Sequence, residues 1–301
     1  MPKITYTPRQ FSKGSQELIE QVNEIIDEYE AQGLVLTLRQ IYYQFVTRNI
    51  IRNNQKEYKR LGSVINDGRL AGLIDWDAIE DRTRNLVSNS HWESPQEIVE
   101  ICARQYAIDK WAEQKYRVEC WVEKEALAGV FEAVCKPLDV PVFPCRGYVS
   151  QSEMWGAAQR LRRYEKAGQE CVILHFGDHD PSGIDMSRDI EDRLKLFRCN
   201  PEVRRLALNF DQIQQYRPPP NPAKATDARF ASYQTQFGNE SWELDALDPK
   251  TLKGLIEGGV FEYRDVVLWK AGLKEEETAK AVLASIGTRW KDVARFLTHK
   301  P

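Results

Sequence analysis

Two aspartates spaced i, i+2 close the segment Val172-Ile173-Leu174-His175-Phe176-Gly177-Asp178-His179-Asp180-Pro181-Ser182-Gly183. Carboxylates this close repel each other and are costly to desolvate unless a cation neutralises them. Hard divalent ions such as Mg²⁺ take carboxylate oxygens and keep water or phosphate as their other ligands. The pattern points to metal-assisted chemistry at a phosphate. Glu123 stands in the same position after a second apolar run, Val118-Glu119-Cys120-Trp121-Val122. Asp and Gly after a strand also form ordinary turns, so one Asp-x-Asp does not by itself define a site.

A nucleophile candidate lies in Leu38-Arg39-Gln40-Ile41-Tyr42-Tyr43-Gln44-Phe45. Helical spacing puts Leu38, Ile41, Tyr42 and Phe45 on one apolar stripe, which makes Tyr42 a core residue. Tyr43 is then turned to the exposed side, with Arg39 one turn before it. A guanidinium there can stabilise a phenolate and hold the phosphate it attacks. The same spacing also describes a plain surface Tyr–Arg pair. From Arg39 to Arg69, seven basic residues face only Glu57 and Asp67, a local charge of +5 in a chain of net charge −3. Arg48, Arg52, Lys56, Lys59, Arg60 and Arg69 are therefore the candidate DNA-phosphate contacts. The acidic first helix and the Asp75 to Asp81 cluster are expected to stay off the DNA.

The elements that must position these residues are legible in outline. An amphipathic helix is expected over 15–32, with Leu18, Ile19, Val22, Ile25 and Ile26 on one face and Gly33 ending it. Thr37 is the expected N-cap of the tyrosine helix, and a third helix runs over 58–70. A helical connector is expected over 93–115. Strands are expected near 118–122, 140–144, 171–176, 205–210 and 241–245, alternating with helices near 125–136, 151–166 and 184–197. The run Tyr216-Arg217-Pro218-Pro219-Pro220-Asn221-Pro222 must be extended loop. Beyond Pro249 the chain reads as helical. The class is α/β, with strand ends delivering acids to one edge, where open α/β sheets bind ligands. A phospho-receiver domain also gathers acids at strand ends, but it would need a lysine after a late strand that is not evident.

Composition bounds the rest. The chain has 301 residues, 42% of them hydrophobic, enough for one large domain or two. The six cysteines form no Cys-x-x-Cys, so neither a zinc site nor a disulfide framework is expected. The histidines, His91, His175, His179 and His299, show no metal spacing, and strand alternation turns His179 away from the aspartates. No leader is expected, and no apolar run is long enough to span a bilayer.

Taken together, the basic helical segment with Arg-x-Ile-Tyr-Tyr, then Val-Glu-Lys-Glu-Ala and Gly-Asp-x-Asp-Pro-x-Gly, resembles the A subunit of type IIB DNA topoisomerases. Relatives of that family include the topoisomerase VI A subunit and the meiotic double-strand-break transesterase, and the chain length is nearest to the short Mini-A proteins. The tyrosine precedes the acidic domain here, the reverse of type IA and IIA enzymes. The segment Trp242-Glu243-Leu244-Asp245-Ala246-Leu247 is also similar to the family. The resemblance implies a winged-helix-like module over 1–92, the connector over 93–115, and a Toprim (Rossmann-like) domain with C-terminal helices over 116–301. It implies Tyr43 as nucleophile, Arg39 as its support, and Glu123, Asp178 and Asp180 as ligands of Mg²⁺, with Mn²⁺ as an alternative. It implies a homodimer on double-stranded DNA in which the tyrosine of one protomer meets the metal site of the other and forms a 5′-phosphotyrosyl link. Glu243 is either a further acid of the site or a structural one. No ATP phosphate loop occurs, so strand passage would need a separate GHKL-type ATPase B subunit. The implied location is cytoplasmic, with DNA, in a bacterial, archaeal or phage-encoded setting. Two other readings stay open: a Toprim nuclease in which water attacks, and a non-catalytic DNA-binding component.

Overall fold

A computed structural model describes residues 3–80, 89 and 91–298; Asp81 and His299 lie outside the described residues. In chain order the elements are α1 (Lys13–Glu30), β1 (Leu36–Thr37), α2 (Leu38–Thr47), α3 (Gln55–Leu70), β2 (Ile79–Glu80), α4 (Pro95–Gln105) and β3 (Tyr116–Val122). There follow α5 (Ala128–Cys135), β4 (Val142–Pro144), α6 (Gln151–Lys166), β5 (Glu170–Phe176), α7 (Pro181–Leu196), β6 (Glu202–Ala207) and α8 (Phe210–Tyr216). The last are β7 (Asn221–Pro222), α9 (Phe230–Phe237), β8 (Glu240–Ser241), α10 (Pro249–Phe261), α11 (Val266–Thr288) and α12 (Trp290–Thr298). Two compact units divide the chain: Met1–Thr83 with Val118–Glu262, and Arg84–Arg117 with Tyr263–Pro301.

The larger unit is mixed α/β. Its sheet has the order β4-β3-β5-β6, with β3·β4 and β5·β6 parallel. The chain leaves β3 toward β4 on one side, then crosses back to β5 on the other. The switch in direction falls between β3 and β5, the place where such sheets form a ligand crevice at their C-terminal ends. Strand alternation feeds both faces. Trp121, Cys171 and Ile173 pack with Met154, Leu161, Met186 and Ile190 of α6 and α7. On the opposite face α5 and α10 pack together, and the Phe131 and Phe176 rings meet edge to face at 4.8 Å.

The N-terminal part of this unit is three helices and a two-residue parallel ladder, β1·β2. Leu18, Ile19, Val22, Ile25 and Ile26 of α1 share a core with Ile41, Tyr42 and Phe45 of α2 and Leu61 and Ile65 of α3. Ser12 caps α1, and Thr37 caps α2 in a reciprocal capping box with Gln40.

Four expected elements differ: of the 216–222 run expected as loop, Tyr216 closes α8 and Asn221–Pro222 form β7 against β8. The 205–210 strand is β6, ending at Ala207, because Asn209 instead caps α8 in a box with Gln212. The 241–245 strand reduces to β8 followed by a 3₁₀ turn over Leu244–Ala246. The Leu244 N–H is spent on a side chain, Asp178 Oδ1 at 2.7 Å, rather than on a neighbouring strand. The 93–115 connector is helical only to Gln105; beyond it the Asp109 carboxylate accepts the Trp111 N–H at 3.0 Å and pairs with Arg117 at 2.6 Å, holding a turn.

In the smaller unit α4 packs along α11. Lys110 and Glu276 form an ion pair at 2.6 Å, and the Trp111 and Trp269 rings lie 6.0 Å apart. Among the described residues no helix is long and apolar enough to cross a membrane. All six cysteines are free thiols, five of them buried.

Candidate active site

The loop from β5 to α7 places the acids. Asp180 is the N-cap of α7: its Oδ1 accepts the Gly183 N–H at 2.6 Å and the Ser182 hydroxyl at 3.0 Å. Gly183 is obligatory for this turn, because a Cβ there would lie 2.3 Å from the Asp178 carbonyl oxygen. Glu123, just past β3, accepts the Asp178 N–H on Oε2 at 2.9 Å. Glu123, Asp178 and Asp180 thus come to one edge of the sheet, at the switch point. Arg205 of β6 braces the loop from beneath, donating to the carbonyls of Gly177 (3.0 Å), Asp178 (2.7 Å), Gly183 (2.8 Å) and Leu208 (3.2 Å).

A second segment closes over the first. His179 and Trp242 form an antiparallel bridge, with N–H to carbonyl distances of 2.8 and 3.0 Å. The His179 ring is caged by Phe210, Tyr233, Phe237 and Trp242, and its Nδ1 lies 2.8 Å from the Tyr233 hydroxyl. Burial lowers this imidazole to about 4, so it is neutral at pH 7 and serves as a pin. The bridge delivers Glu243 and Asp245 beside Asp178. Lys124 fills the space between them, its ammonium 3.1 Å from Asp178 Oδ2, 2.9 Å from Glu243 Oε2 and 2.9 Å from Asp245 Oδ1.

The tyrosine helix completes the network. The Tyr43 hydroxyl donates to Glu243 Oε2 at 2.8 Å. Arg39 pairs with Glu243, lies 2.7 Å by its Nε from Asp245 Oδ2, and covers the Tyr43 ring at 5.8 Å from its centroid. Tyr42 instead points into the helical core and donates to Asn53 Oδ1 at 3.0 Å. The sequence expectation of an exposed Tyr43 is corrected: it is 5% exposed, against 4% for Tyr42. The helical stripe identifies one buried face of α2; the 3₁₀ turn at Leu244–Ala246 packs on the helix and supplies a second cover.

The electrostatics follow from this crowding. Burial, then Asp245 and Glu243, raise the Tyr43 phenol well above its ordinary value, with Arg39 opposing, so it is protonated at pH 7. Burial works against the Lys124 charge, but Asp245, Asp178 and Glu243 outweigh it and keep the ammonium cationic. Burial also works against Glu243, yet Lys124 and Arg39 hold its carboxyl down at about 2. Asp178 is pushed up to about 7 by burial, which Lys124 opposes and Glu123 and Asp245 reinforce. Burial raises Glu123 too, with Asp180 adding to it.

The donors gathered here are hard carboxylate oxygens, the kind a divalent ion takes. Fully ionised, Glu123, Asp178, Asp180, Glu243 and Asp245 face Lys124, Arg39 and Arg205, leaving a net −2. Burial is the main cause of the raised Glu123 and Asp178 carboxyls, and the neighbouring acids add to it; a bound cation would oppose both effects.

The candidate DNA contacts fall into two groups. Arg48 pairs with Glu28 at 2.6 Å and Arg60 with Glu57 at 3.1 Å. Arg69 donates to the carbonyls of Trp76 (3.0 Å) and Ile79 (2.7 Å) and stacks on the Trp76 ring, which makes it part of the turn's framework. Arg52, Lys56 and Lys59 are exposed, with no protein partner among the described residues.

Sequence reasoning gave no role to Lys124, Asp245 or Arg205 and set Glu243 aside. A signal was present for two of them: Glu243 and Asp245 repeat the i, i+2 acid spacing of Asp178 and Asp180. Comparison with protein-family models, curated proteins and solved structures finds no match.

Proposed function

We propose that this chain is a Mg²⁺-dependent DNA-cleaving transesterase of the type IIB topoisomerase A-subunit kind, its N-terminal helices a winged-helix-like module and its sheet a Toprim domain. The observation that carries this reading is the shared carboxylate: Glu243 touches the Tyr43 hydroxyl, Arg39 and Lys124 at once, joining a nucleophile to the acid cluster. On this reading Arg39 and Lys124 turn from Glu243 toward an incoming phosphodiester. Losing those cations raises the basicity of Glu243, whose Oε2 takes the phenol proton. The Tyr43 oxygen then attacks phosphorus as the bond to the 3′ oxygen breaks; that oxygen takes a proton from solvent, and a 5′-phosphotyrosyl link and a free 3′-hydroxyl result. A divalent ion held by Glu123, Asp178 and Asp180 would supply charge stabilisation at the phosphate or the leaving oxygen. In a homodimer of the implied kind, Tyr43 would exchange to the partner's acids, and the contact within one chain is its resting arrangement.

A second reading has its own support. The buried, protonated Tyr43 suits a nuclease in which water attacks and the phenol only positions the strand. One experiment separates the two. DNA is incubated with the protein and Mg²⁺, denatured in detergent, and assayed for protein-bound 5′ ends. A covalent adduct lost in Tyr43→Phe supports the transesterase. Metal-dependent cleavage without an adduct supports the nuclease, and binding without cleavage leaves a non-catalytic DNA-binding component.

A further inference from the structure

Beside the tyrosine helix lies a cavity of about 690 Å³, lined by the end of α2, the loop from Asn49 to Asn53, Arg217, Pro219 and Pro220. That volume is within the roughly 300–1,000 Å³ range of ligand sites. Its lining holds two arginines and no acid. Arg52 and Arg217 are both exposed and, among the described residues, without a protein partner. Arginine pairs of this kind grip phosphate oxygens through their planar donors. Asn49 and Asn53 add amides, and Ile50, Ile51, Pro219 and Pro220 add apolar edges of the sort that pack sugars and bases.

The cavity wall connects to the candidate active site through Asn53. Asn53 accepts the Tyr42 hydroxyl, and the Tyr42 and Tyr43 rings are 5.3 Å apart. Asn53 also donates to Asn221 at 3.1 Å, and Asn221 pairs in register with Ser241, two residues before Glu243.

The geometry points to this groove as the seat of a single nucleic-acid strand, with Arg52 and Arg217 on its backbone phosphates and the strand running beside the end of the helix that carries Tyr43. The inference rests on the proposed action on DNA and adds the strand path and Arg217, which lies outside the basic segment of the sequence. Arg217 caps the C-terminus of α8, and the prolines after it lead into β7, so the groove wall that carries Arg217 is anchored at both ends.

The test reads binding, without Mg²⁺, so that it is independent of cleavage. Fluorescence anisotropy is measured with a labelled short single-stranded oligonucleotide and with a labelled mononucleotide. Arg52→Gln/Arg217→Gln should weaken the oligonucleotide roughly tenfold or more and shrink its log–log salt slope by roughly 0.7 for each phosphate no longer neutralised. Arg52→Lys/Arg217→Lys should recover part of the affinity. Lys250→Gln/Lys253→Gln, on α10 and outside the groove, should bind as the parent does. The single variants serve if the double variant does not fold by circular dichroism. Unchanged oligonucleotide binding in the Gln pair overturns the strand path. A mononucleotide bound as tightly, and lost as fully, overturns it in favour of a free-nucleotide site. Lost binding in a protein that never forms an adduct would sink the transesterase and keep the groove; an adduct with unchanged binding would do the reverse.

Discussion

The Tyr43 hydroxyl and the Glu243 carboxylate meet at 2.8 Å, although 200 positions separate them in the chain. The contact joins the N-terminal helices to the edge of the sheet, and burial, with Asp245 and Glu243 adding to it, keeps the phenol protonated. A phenol in that state cannot attack until its proton is taken. Its two neighbours in the sequence and in space, Tyr42 and Arg39, differ in kind: one hydroxyl is satisfied by loop atoms, the other side chain by the acids.

Tyr43→Phe should abolish any covalent DNA adduct, while Tyr42→Phe should retain it. Each loses one hydroxyl, whose donated proton is shared between Asn53 Oδ1 and the Asn54 carbonyl at Tyr42 and goes to Glu243 at Tyr43, a loss of about 1 kcal/mol of stability. For Tyr43 the loss stays small because Glu243 keeps Lys124 and Arg39. Equal adduct yields in the two variants would remove Tyr43 from the mechanism; the check is a detergent-stable protein–DNA band beside a urea melt.

Lys124→Gln should destabilise the metal-free protein by about 3 kcal/mol, because Asp178, Glu243 and Asp245 lose the cation they share. Mg²⁺ should return part of that loss, since it can neutralise the same carboxylates. Thermal midpoints of parent and variant, with and without Mg²⁺, give the comparison. A larger Mg²⁺ shift in the parent than in the variant would argue that the ion does not sit near these acids.

How much of this was legible in the sequence depends on the range of each interaction. The stripe from Leu18 to Ile26 and the Thr37 cap are set by residues three or four positions apart, and both are found. The strand ends before Glu123 and Asp178 follow from short apolar runs closed by acids. Tyr43 was misplaced because a helical face says which side packs on its own module, not what a distant turn lays over the other side. Lys124 was named within a motif, but its partners arrive with Glu243 and Asp245. The 241–245 strand failed for a related reason: its pattern fits a strand, while Asp178 takes the Leu244 N–H that a strand would need.

Glycine substitutions give a test with opposite signs. In an exposed helix interior, Gly→Ala stabilises by roughly 0.5–1 kcal/mol. Gly254 in α10 has nothing within 4 Å of an added Cβ, and Gly254→Ala should follow that rule. At Gly183 the added Cβ would meet the Asp178 carbonyl at 2.3 Å, so Gly183→Ala should destabilise, by about 1–3 kcal/mol, the range for overpacking. It should also weaken Mg²⁺ binding, because the loop that must shift carries Asp178 and Asp180. Urea melts and Mg²⁺ titrations of both variants decide it; a stabilised Gly183→Ala would show that the loop is not constrained as described.

The pH dependence of stability follows from two carboxyls shifted in opposite directions. Asp178 has a folded value of about 7 against an ordinary 3.8, so the folded state holds an extra proton between roughly pH 4 and 7. Its contribution therefore favours the folded state at low pH and fades as pH rises through about 7, with a slope of at most about 1.4 kcal/mol per pH unit. Glu243 is held at about 2 against an ordinary 4.5, so its contribution is present above pH 4.5 and is lost as pH falls toward 2. Metal-free protein should be most stable near pH 4.5 and lose stability by pH 8. Mg²⁺ should flatten the upper limb, because the ion replaces the Asp178 proton, and its affinity should rise with pH through about 7. Asp178→Asn should flatten that limb without metal, raise stability at pH 8, and abolish the Mg²⁺ effect. Urea unfolding from pH 4.5 to 8, with and without Mg²⁺, measures all three. A parent protein whose stability rises steadily to pH 8 without metal would mean that Asp178 is ionised throughout, and that Lys124 already satisfies the acids a divalent ion was expected to serve.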